Sequence, residues 1–444
     1  MNLTIKNCTI VNEGELSEND LLIKNGRIEK IDTSIDVKGD FIEAEGLHLL
    51  PGFIDDQVHF REPGLTDKGS IRSESIAAVV GGTTSFMDMP NVVPPTLNED
   101  LWNQKNRIAE QGSLANYSFY MGSSNTNIEE IKSIDPSQVC GLKVFMGTST
   151  GNLLVDDPKA LEDIFNFSPV LITTHCEDTP LITENEKKAY EKFGDNIPIE
   201  LHEEIRSRKA CLISTKKAID LAQQFNSKLH VLHISTKDEI ELFDAGPIEN
   251  KKITSEVCIP HLLFSSSDYK NLGSLIKCNP SIKANSDKTA LRQALKKGVI
   301  DYVATDHAPH ILSEKEKNYL NSPSGMPSVQ HSFLAVLEMV HDGDLEITDV
   351  PKITSHNVAK RFEIKDRGFI NEGFWADLVL VNMNDSYEVK KEKIFYKCGW
   401  SPFESYTFKS RIVETIINGE RVCSQGKILS DKIGQKLEFS RGYK

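Results

Sequence analysis

The sequence predicts a (β/α)8 barrel with a small β-sandwich assembled from the two chain ends, and three observations carry that prediction. Strand-like runs recur eight times between residues 52 and 365, with helix-like stretches between them. Both ends are instead short alternating runs broken by Asn-Gly turns, at Asn25-Gly26 and Asn418-Gly419. Histidines, a lysine and an aspartate fall at strand ends, where barrels of this kind carry their chemistry.

From the start, LTIKNCTIVNEG, DLLIKNGRIEKI and FIEAEGLHLL read as strands of the sandwich, residues 1–51. The barrel, residues 52–365, takes its strands from GFIDDQVHF at 52, GTTSFMDM at 82, ANYSFYMG at 115 and GLKVFM at 141. PVLITTHC at 169, KLHVLHIS at 228, ITSEVCI at 253 and DYVATDHAPH at 301 complete the set. DLWNQKNRIAEQG, KALEDIFNF, ACLISTKKAIDLAQQF and KTALRQALKKG carry the helical pattern between them. A Glu- and Lys-rich insertion at about 180–210 reads as a helical excursion after the fifth strand. Residues 366–444 return to the sandwich style in WADLVLVNM and RIVETIINGERVCSQGKIL.

Composition excludes several function classes. The 51 basic and 65 acidic residues leave a net charge of −14, which argues against nucleic acid or an anionic membrane as the main partner. No apolar run reaches the ~18 residues that span a bilayer. The first residues lack a signal-peptide pattern, so a cytoplasmic protein is expected. Eight scattered cysteines without a C-x-x-C pair read as reduced, mostly buried thiols, Cys176 among them.

His59, Lys143, His175, His233 and Asp306 lie in or at the ends of the first, fourth, fifth, sixth and eighth strands. One such histidine is ordinarily a hydrogen-bonded structural residue, but five metal-competent groups at corresponding positions are a poor accident. Imidazoles and a carboxylate suit Zn²⁺. A lysine ammonium is no ligand, yet carbamylation by CO₂ would make Lys143 a carboxylate mimic able to bridge two cations. Its neighbours Leu142, Val144 and Phe145 are apolar, which argues against a solvent-facing role.

ATDHAPHILSEK (304–315) matches the signature of the dihydroorotases of the amidohydrolase superfamily. PGFIDDQVHFREPG (51–64) resembles their first-strand metal motif, DMPNVVPPT (88–96) their Met-Pro-Asn segment and CNPSIK (278–283) their Asn-Pro loop. GFINEGFWADLVLV (368–381) resembles a segment widespread in the superfamily. The likeness implies a zinc enzyme that reversibly hydrolyses the cyclic amide of dihydroorotate to N-carbamoyl-L-aspartate in pyrimidine biosynthesis. It implies His175 and His233 on one metal, His59 and Asp306 on a more buried one, and carbamylated Lys143 between them. Asp306 would also be the catalytic acid/base. Arg61, Asn91, Asn279 and His310 would bind the substrate carboxylate, and the backbone of Gly325 the ring. His307 would be structural.

The family's first strand usually reads Asp-x-His-x-His-x-Arg, and here Gln57 stands in place of the first histidine. One or two zinc ions per chain are therefore expected, the buried one weakened. Strand alternation puts Asp55, Gln57, His59 and Arg61 on the interior face and turns Asp56 to the helix layer. Two other readings stay open: an allantoinase or dihydropyrimidinase-like amidohydrolase, and a non-catalytic dihydroorotase-like subunit. A homodimer is the base-rate expectation for such a chain.

Overall fold

The computed structural model describes residues 2–37, 39–147, 153–431 and 434–441. β1 (Asn2–Asn12), β2 (Glu15–Lys24) and β3 (Arg27–Asp32) form a meander, followed by β4 (Asp40–Glu43) and β5 (His48–Pro51). Barrel strands follow as β6 (Phe53–Val58), β7 (Thr83–Asp88), β8 (Asn116–Phe119) with its continuation β9 (Met121–Gly122), and β10 (Leu142–Phe145). β11 (Ile172–His175), β12 (Leu229–Val231), β13 (Ile253–Cys258) and β14 (Tyr302–Ala304) complete the barrel. The C-terminal strands are β15 (Leu378–Asn382), β16 (Tyr387–Glu388), β17 (Thr407–Phe408), β18 (Arg411–Ile417), β19 (Glu420–Ser424) and β20 (Lys427–Ile428).

The two chain ends meet in one nine-stranded sheet of order β20-β19-β18-β15-β5-β1-β2-β3, with β4 also on β1. The joining ladder is antiparallel, from Pro51 opposite Leu378 to His48 opposite Val381. A bulge between Ile5 and Cys8 bends β1, so its first half pairs with β4 and its second with β5. The sheet wraps a core of its own that includes Ile5, Ile10, Leu21, Ile23, Leu378 and Ile416. Both Asn-Gly turns have left-handed backbone, with φ of 53° and 84° at Asn25-Gly26 and 52° and 76° at Asn418-Gly419. That is the two-residue hairpin turn that Asn-Gly favours.

All eight predicted barrel strands form, and they pair in parallel. A bridge between Val58 and His307 and a 2.7 Å bond from His59 N to His307 O close the ring between the first and eighth strands. The intervening helices begin at side-chain caps: Asn98 for Glu99–Gly112, Asp157 for Pro158–Phe167 and Ser207 for Arg208–Phe225. Between strands and helices lies a core that includes Phe53, Phe86, Phe119, Val144 and Val231, each such buried side chain contributing about 1.5–3 kcal/mol. The excursion after β11 is helical but broken, with Thr179–Phe193 followed by short turns at Ile199–Leu201 and His202–Ile205.

Two findings depart from simple alternation. The register between β6 and β7 slips between Asp55 and Val58. The extra residue turns both Asp56 and Gln57 towards the barrel interior, so the expectation that Asp56 faces the helix layer is corrected. Asp56 accepts from the Tyr302 hydroxyl at 3.1 Å, and Asp55 turns aside to Thr305. Secondly, the C-terminal part does not stay with the sheet. Trp400 donates to His310 O at 2.7 Å, and Leu437 and Phe439 join a cluster with Ile54, Met87, Tyr120 and Tyr302 from the barrel strands. Among the described residues no helix is long and apolar enough to cross a membrane.

Candidate active site

A cleft of about 910 Å³ opens over the strand ends, lined by Gln57, His59, Arg61, Asn91, Lys143, His175, His233, Asn279, Asp306, His310 and Gly325. Every site residue singled out in the sequence thus reaches one space, on loops and strand ends from six of the eight barrel strands and the Asn279 segment. Arg61, His233 and Asp306 are held at φ of 70°, 42° and 47°. For non-glycine residues that conformation costs on the order of 1–3 kcal/mol each, and such strain collects at functional sites.

Two donor pairs converge. His175 Nδ1 lies 2.9 Å from His233 Nε2, and His59 Nε2 lies 3.1 Å from Asp306 Oδ1. Burial holds His175 below the usual histidine range and His233 well below it, so both are neutral imidazoles with lone pairs to offer. Asn91 Oδ1 lies 2.7 Å from His59 Nδ1, which places that ring's proton on Nδ1 and leaves Nε2 as the donor atom. Lys143 is buried, and that burial lowers its ammonium to about 8 despite the Asp306 and Glu256 charges. A neutral amine is the form that adds CO₂.

Gln57 faces Asp306, but with its nitrogen. Nε2 donates to Asp306 Oδ1 at 3.2 Å, while Oε1 accepts from the Cys258 thiol at 3.5 Å. The residue therefore secures the carboxylate instead of presenting an oxygen beside His59.

At the other end of the cleft Arg61 is buried, and desolvation lowers its guanidinium to about 10. Nε donates to Pro309 O at 3.0 Å and a terminal nitrogen lies 3.1 Å from His310 Nε2. Among the described residues no carboxylate pairs with it, and three of its five N–H groups remain for a ligand. Asn279 Oδ1 is likewise buried without a partner. Gly325 has φ of 128°, and a Cβ there would come within 2.6 Å of Ala308 O. Its N–H already donates to Lys277 O and its carbonyl accepts from Lys315, leaving one carbonyl lone pair. His307 points away to Glu74 at 2.9 Å, and Cys176 packs with its thiol pushed up to about 12.

Sequence reasoning missed the support behind these groups. Glu177 Oε2 lies 3.0 Å from His175 Nε2 and is itself paired with Arg206, which holds the Glu177 carboxyl down to about 2 against desolvation. The signal was available: Glu177 stands two residues beyond His175, on the same face by strand alternation. Lys68 and Glu314 flank His310, each 3.2 Å from its Nδ1.

The model of the amidohydrolase family matches residues 48–422. The chain belongs to the amidohydrolase family. It is 32% identical over 90% of its length to a dihydroorotase of Methanosarcina acetivorans, of which the match covers 87%. An allantoinase of Bacillus velezensis is 30% identical, over 95% of this chain and 94% of that one. Among solved structures, L-hydantoinase (dihydropyrimidinase) from Arthrobacter aurescens superposes with a TM-score of 0.92 at 25% identity, covering 98% and 99% of the two chains. The (β/α)8 barrel with a separate β-sheet unit is thus the fold of this amidohydrolase.

Amidohydrolases are generally metal-dependent, and the donors present fit a metal. Two ligand atoms on one tetrahedral zinc lie about 3.3 Å apart, for bonds of about 2.0–2.1 Å. The 2.9 Å and 3.1 Å separations of the two pairs are within a few tenths of that edge.

Proposed function

We propose that this amidohydrolase is a dihydroorotase, opening the cyclic amide of dihydroorotate to N-carbamoyl-L-aspartate and closing it in the biosynthetic direction. The supporting observation is the buried, carboxylate-free Arg61 in the cleft. An uncompensated buried guanidinium is costly, so the cleft suits a ligand that brings a carboxylate. Dihydroorotate carries one on its ring; dihydrouracil does not.

In this reading Arg61 grips the carboxylate by its three remaining terminal N–H groups, with Asn91, Asn279 and His310 completing the pocket. His310 is kept neutral by burial and by Arg61, and its Nε2 lies 3.1 Å from the guanidinium and 3.2 Å from Ser324 O, which seats the ring against Arg61. His175, His233, His59, Asp306 and a carbamate on Lys143 would hold zinc, which when bound acidifies water and polarises the ring carbonyl. Forming that carbamate joins the lysine nitrogen to CO₂ with release of one proton. Asp306 takes the proton of the attacking water and delivers it to the departing ring nitrogen. Gln57 steadies Asp306 through the 3.2 Å bond to Oδ1.

The test is steady-state turnover of dihydroorotate, allantoin and dihydrouracil after loading with zinc and bicarbonate. Dihydroorotate should be the best substrate, and Arg61→Met should cut its kcat/KM by about 10²–10³-fold, as loss of one partner of a buried charge pair does. Preference for allantoin or dihydrouracil would overturn the assignment. No turnover of any of the three would point to a non-catalytic subunit.

A further inference from the structure

Beneath the cleft, inside the barrel, lies a second group of metal-competent side chains that the proposed reaction does not use. Asp56 of β6, His230 of β12 and Glu256 of β13 are fully buried and each offers a ligand atom within 4.8 Å of the others. They do not line the cleft.

The hydrogen bonds of this cluster leave one carboxylate oxygen without a donor among the described residues. His230 Nδ1 lies 2.9 Å from Thr254 Oγ1, which also lies 3.4 Å from Leu229 O. With Thr254 bonded to Leu229 O, Nδ1 carries the ring proton and Nε2 turns a lone pair inward; with Thr254 donating to Nδ1, Nε2 carries the proton instead. Nε2 lies 3.1 Å from Glu256 Oε2, and burial and Asp56 push that carboxyl towards its protonated form when no cation is there. The Tyr302 hydroxyl stands 3.1 Å from Asp56 Oδ2 and 3.0 Å from His230 Nε2 but has one hydrogen for the two. Among the described residues Asp56 Oδ1 is buried with no donor beside it, the carboxyl of Glu256 being its neighbour in the cluster. Two buried carboxyls and an imidazole in a dry interior need either a shared proton or a cation between them.

We propose that Asp56, His230 and Glu256 form a divalent-cation site, distinct from the cleft metals and buried in the barrel below them. The 3.1 Å separation of His230 from Glu256 and the 3.9 Å separation from Asp56 bracket the edge of about 3.3 Å expected around zinc. One imidazole, two carboxylates and the nearby Tyr302 oxygen make an N/O set suited to zinc or manganese. The bulge in β6 lets Asp56 and Gln57 share the interior, so one strand serves both this cluster and the cleft. The proposal does not depend on the substrate assigned above.

The direct test uses the full, unaltered chain, stripped of metal, loaded with Zn²⁺ and crystallised. Anomalous scattering at the zinc edge should give a peak about 2 Å from the Asp56, His230 and Glu256 ligand atoms. In solution, the double variant Asp56→Asn/Glu256→Gln should bind one zinc fewer per chain, while His175→Ala/His233→Ala should keep the zinc in this cluster. An empty cluster at saturating Zn²⁺ would overturn the proposal and leave a carboxylate pair sharing a proton. An unchanged zinc count in the folded double variant would do the same. If that variant does not fold, the anomalous map of the unaltered chain decides.

Discussion

At the scale of single residues, the site depends on which atom each side chain presents. Gln57 offers an N–H to Asp306 where an imidazole would offer a lone pair. Gln57→His should therefore tighten zinc binding beside His59 by about tenfold or more, roughly 1.4 kcal/mol. Competition with a chelator reads this, and an unchanged affinity would mean that position 57 does not reach the metal. Glu177 acts one step further back, holding His175 Nε2 at 3.0 Å so that Nδ1 faces His233. Glu177→Gln should weaken zinc binding or activity by about 10–100-fold, as loss of such a support does. A well-folded variant with full zinc affinity and activity would remove Glu177 from that role. Lys143 supplies a pH effect. Burial lowers its folded value to about 8 from the ordinary lysine value of 10.5, so between those pH values the unfolded chain holds the proton that the folded chain has lost. Stability contributed by this group in the metal-free, uncarbamylated chain therefore rises with pH across that window. Urea titrations in chelator and CO₂-free buffer should show Lys143→Met more stable than the parent near pH 7, with the advantage shrinking towards pH 10. A constant difference would contradict a depressed Lys143.

At the scale of elements, the Asn-Gly turns do more than reverse their strands. They pack on one another: a Cβ on Gly419 would lie 2.5 Å from Gly26 Cα, and one on Gly26 would lie 2.8 Å from Asn418 O. The opposing atoms are backbone and cannot swing aside, and both glycines have positive φ. Gly419→Ala should then cost on the order of 1–3 kcal/mol by backbone strain alone, seen as a lower Tm with the cleft chemistry intact. A Tm equal to the parent's would show that the hairpins are not in contact. These turns were legible in the sequence because Asn-Gly between alternating runs has one common structural solution. The barrel strands were legible for a related reason: each runs apolar on the side that meets the helices and ends in a polar group. The bulge in β6 was not. Alternation is a parity argument, and one extra residue reverses parity without leaving a compositional mark, so Asp56 was assigned to the wrong face. The same limit hid the Asp56–His230–Glu256 cluster, whose members come from three strands far apart in sequence.

At the scale of the whole molecule, the chain ends are tied to the barrel in two ways, and only one was legible. The nine-stranded sheet joins β5 to β15, which the similar style of the two ends suggested. The segment 434–441 carries neither periodicity nor a turn signal, yet it runs back along the barrel. Leu437 N donates to Tyr117 O at 2.9 Å, and Arg441 donates to the carbonyls of Pro136, Val139 and Cys140 at 2.6–2.8 Å. Leu437 is 1% exposed in the cluster that also takes Tyr120 and Tyr302 from the strands. Tyr302 bonds to Asp56 at 3.1 Å, so this packing supports the wall of the buried polar cluster as well as the barrel. Leu437→Ala removes a buried side chain from a site whose neighbours are held by the barrel ladder and cannot collapse inward. The expected cost is about 2–5 kcal/mol, the range for large-to-small changes in a core. Denaturant titration should show a lower midpoint with an unchanged slope. Exchange of 434–441 backbone amides should rise well before global unfolding if the segment detaches first, and only with global unfolding if it is one unit with the barrel. The Arg441 contacts to three carbonyls favour the second result, because releasing the segment would strip the 136–140 turn of its donors as well. A midpoint matching the parent's would mean that the segment rests on the barrel without supporting it.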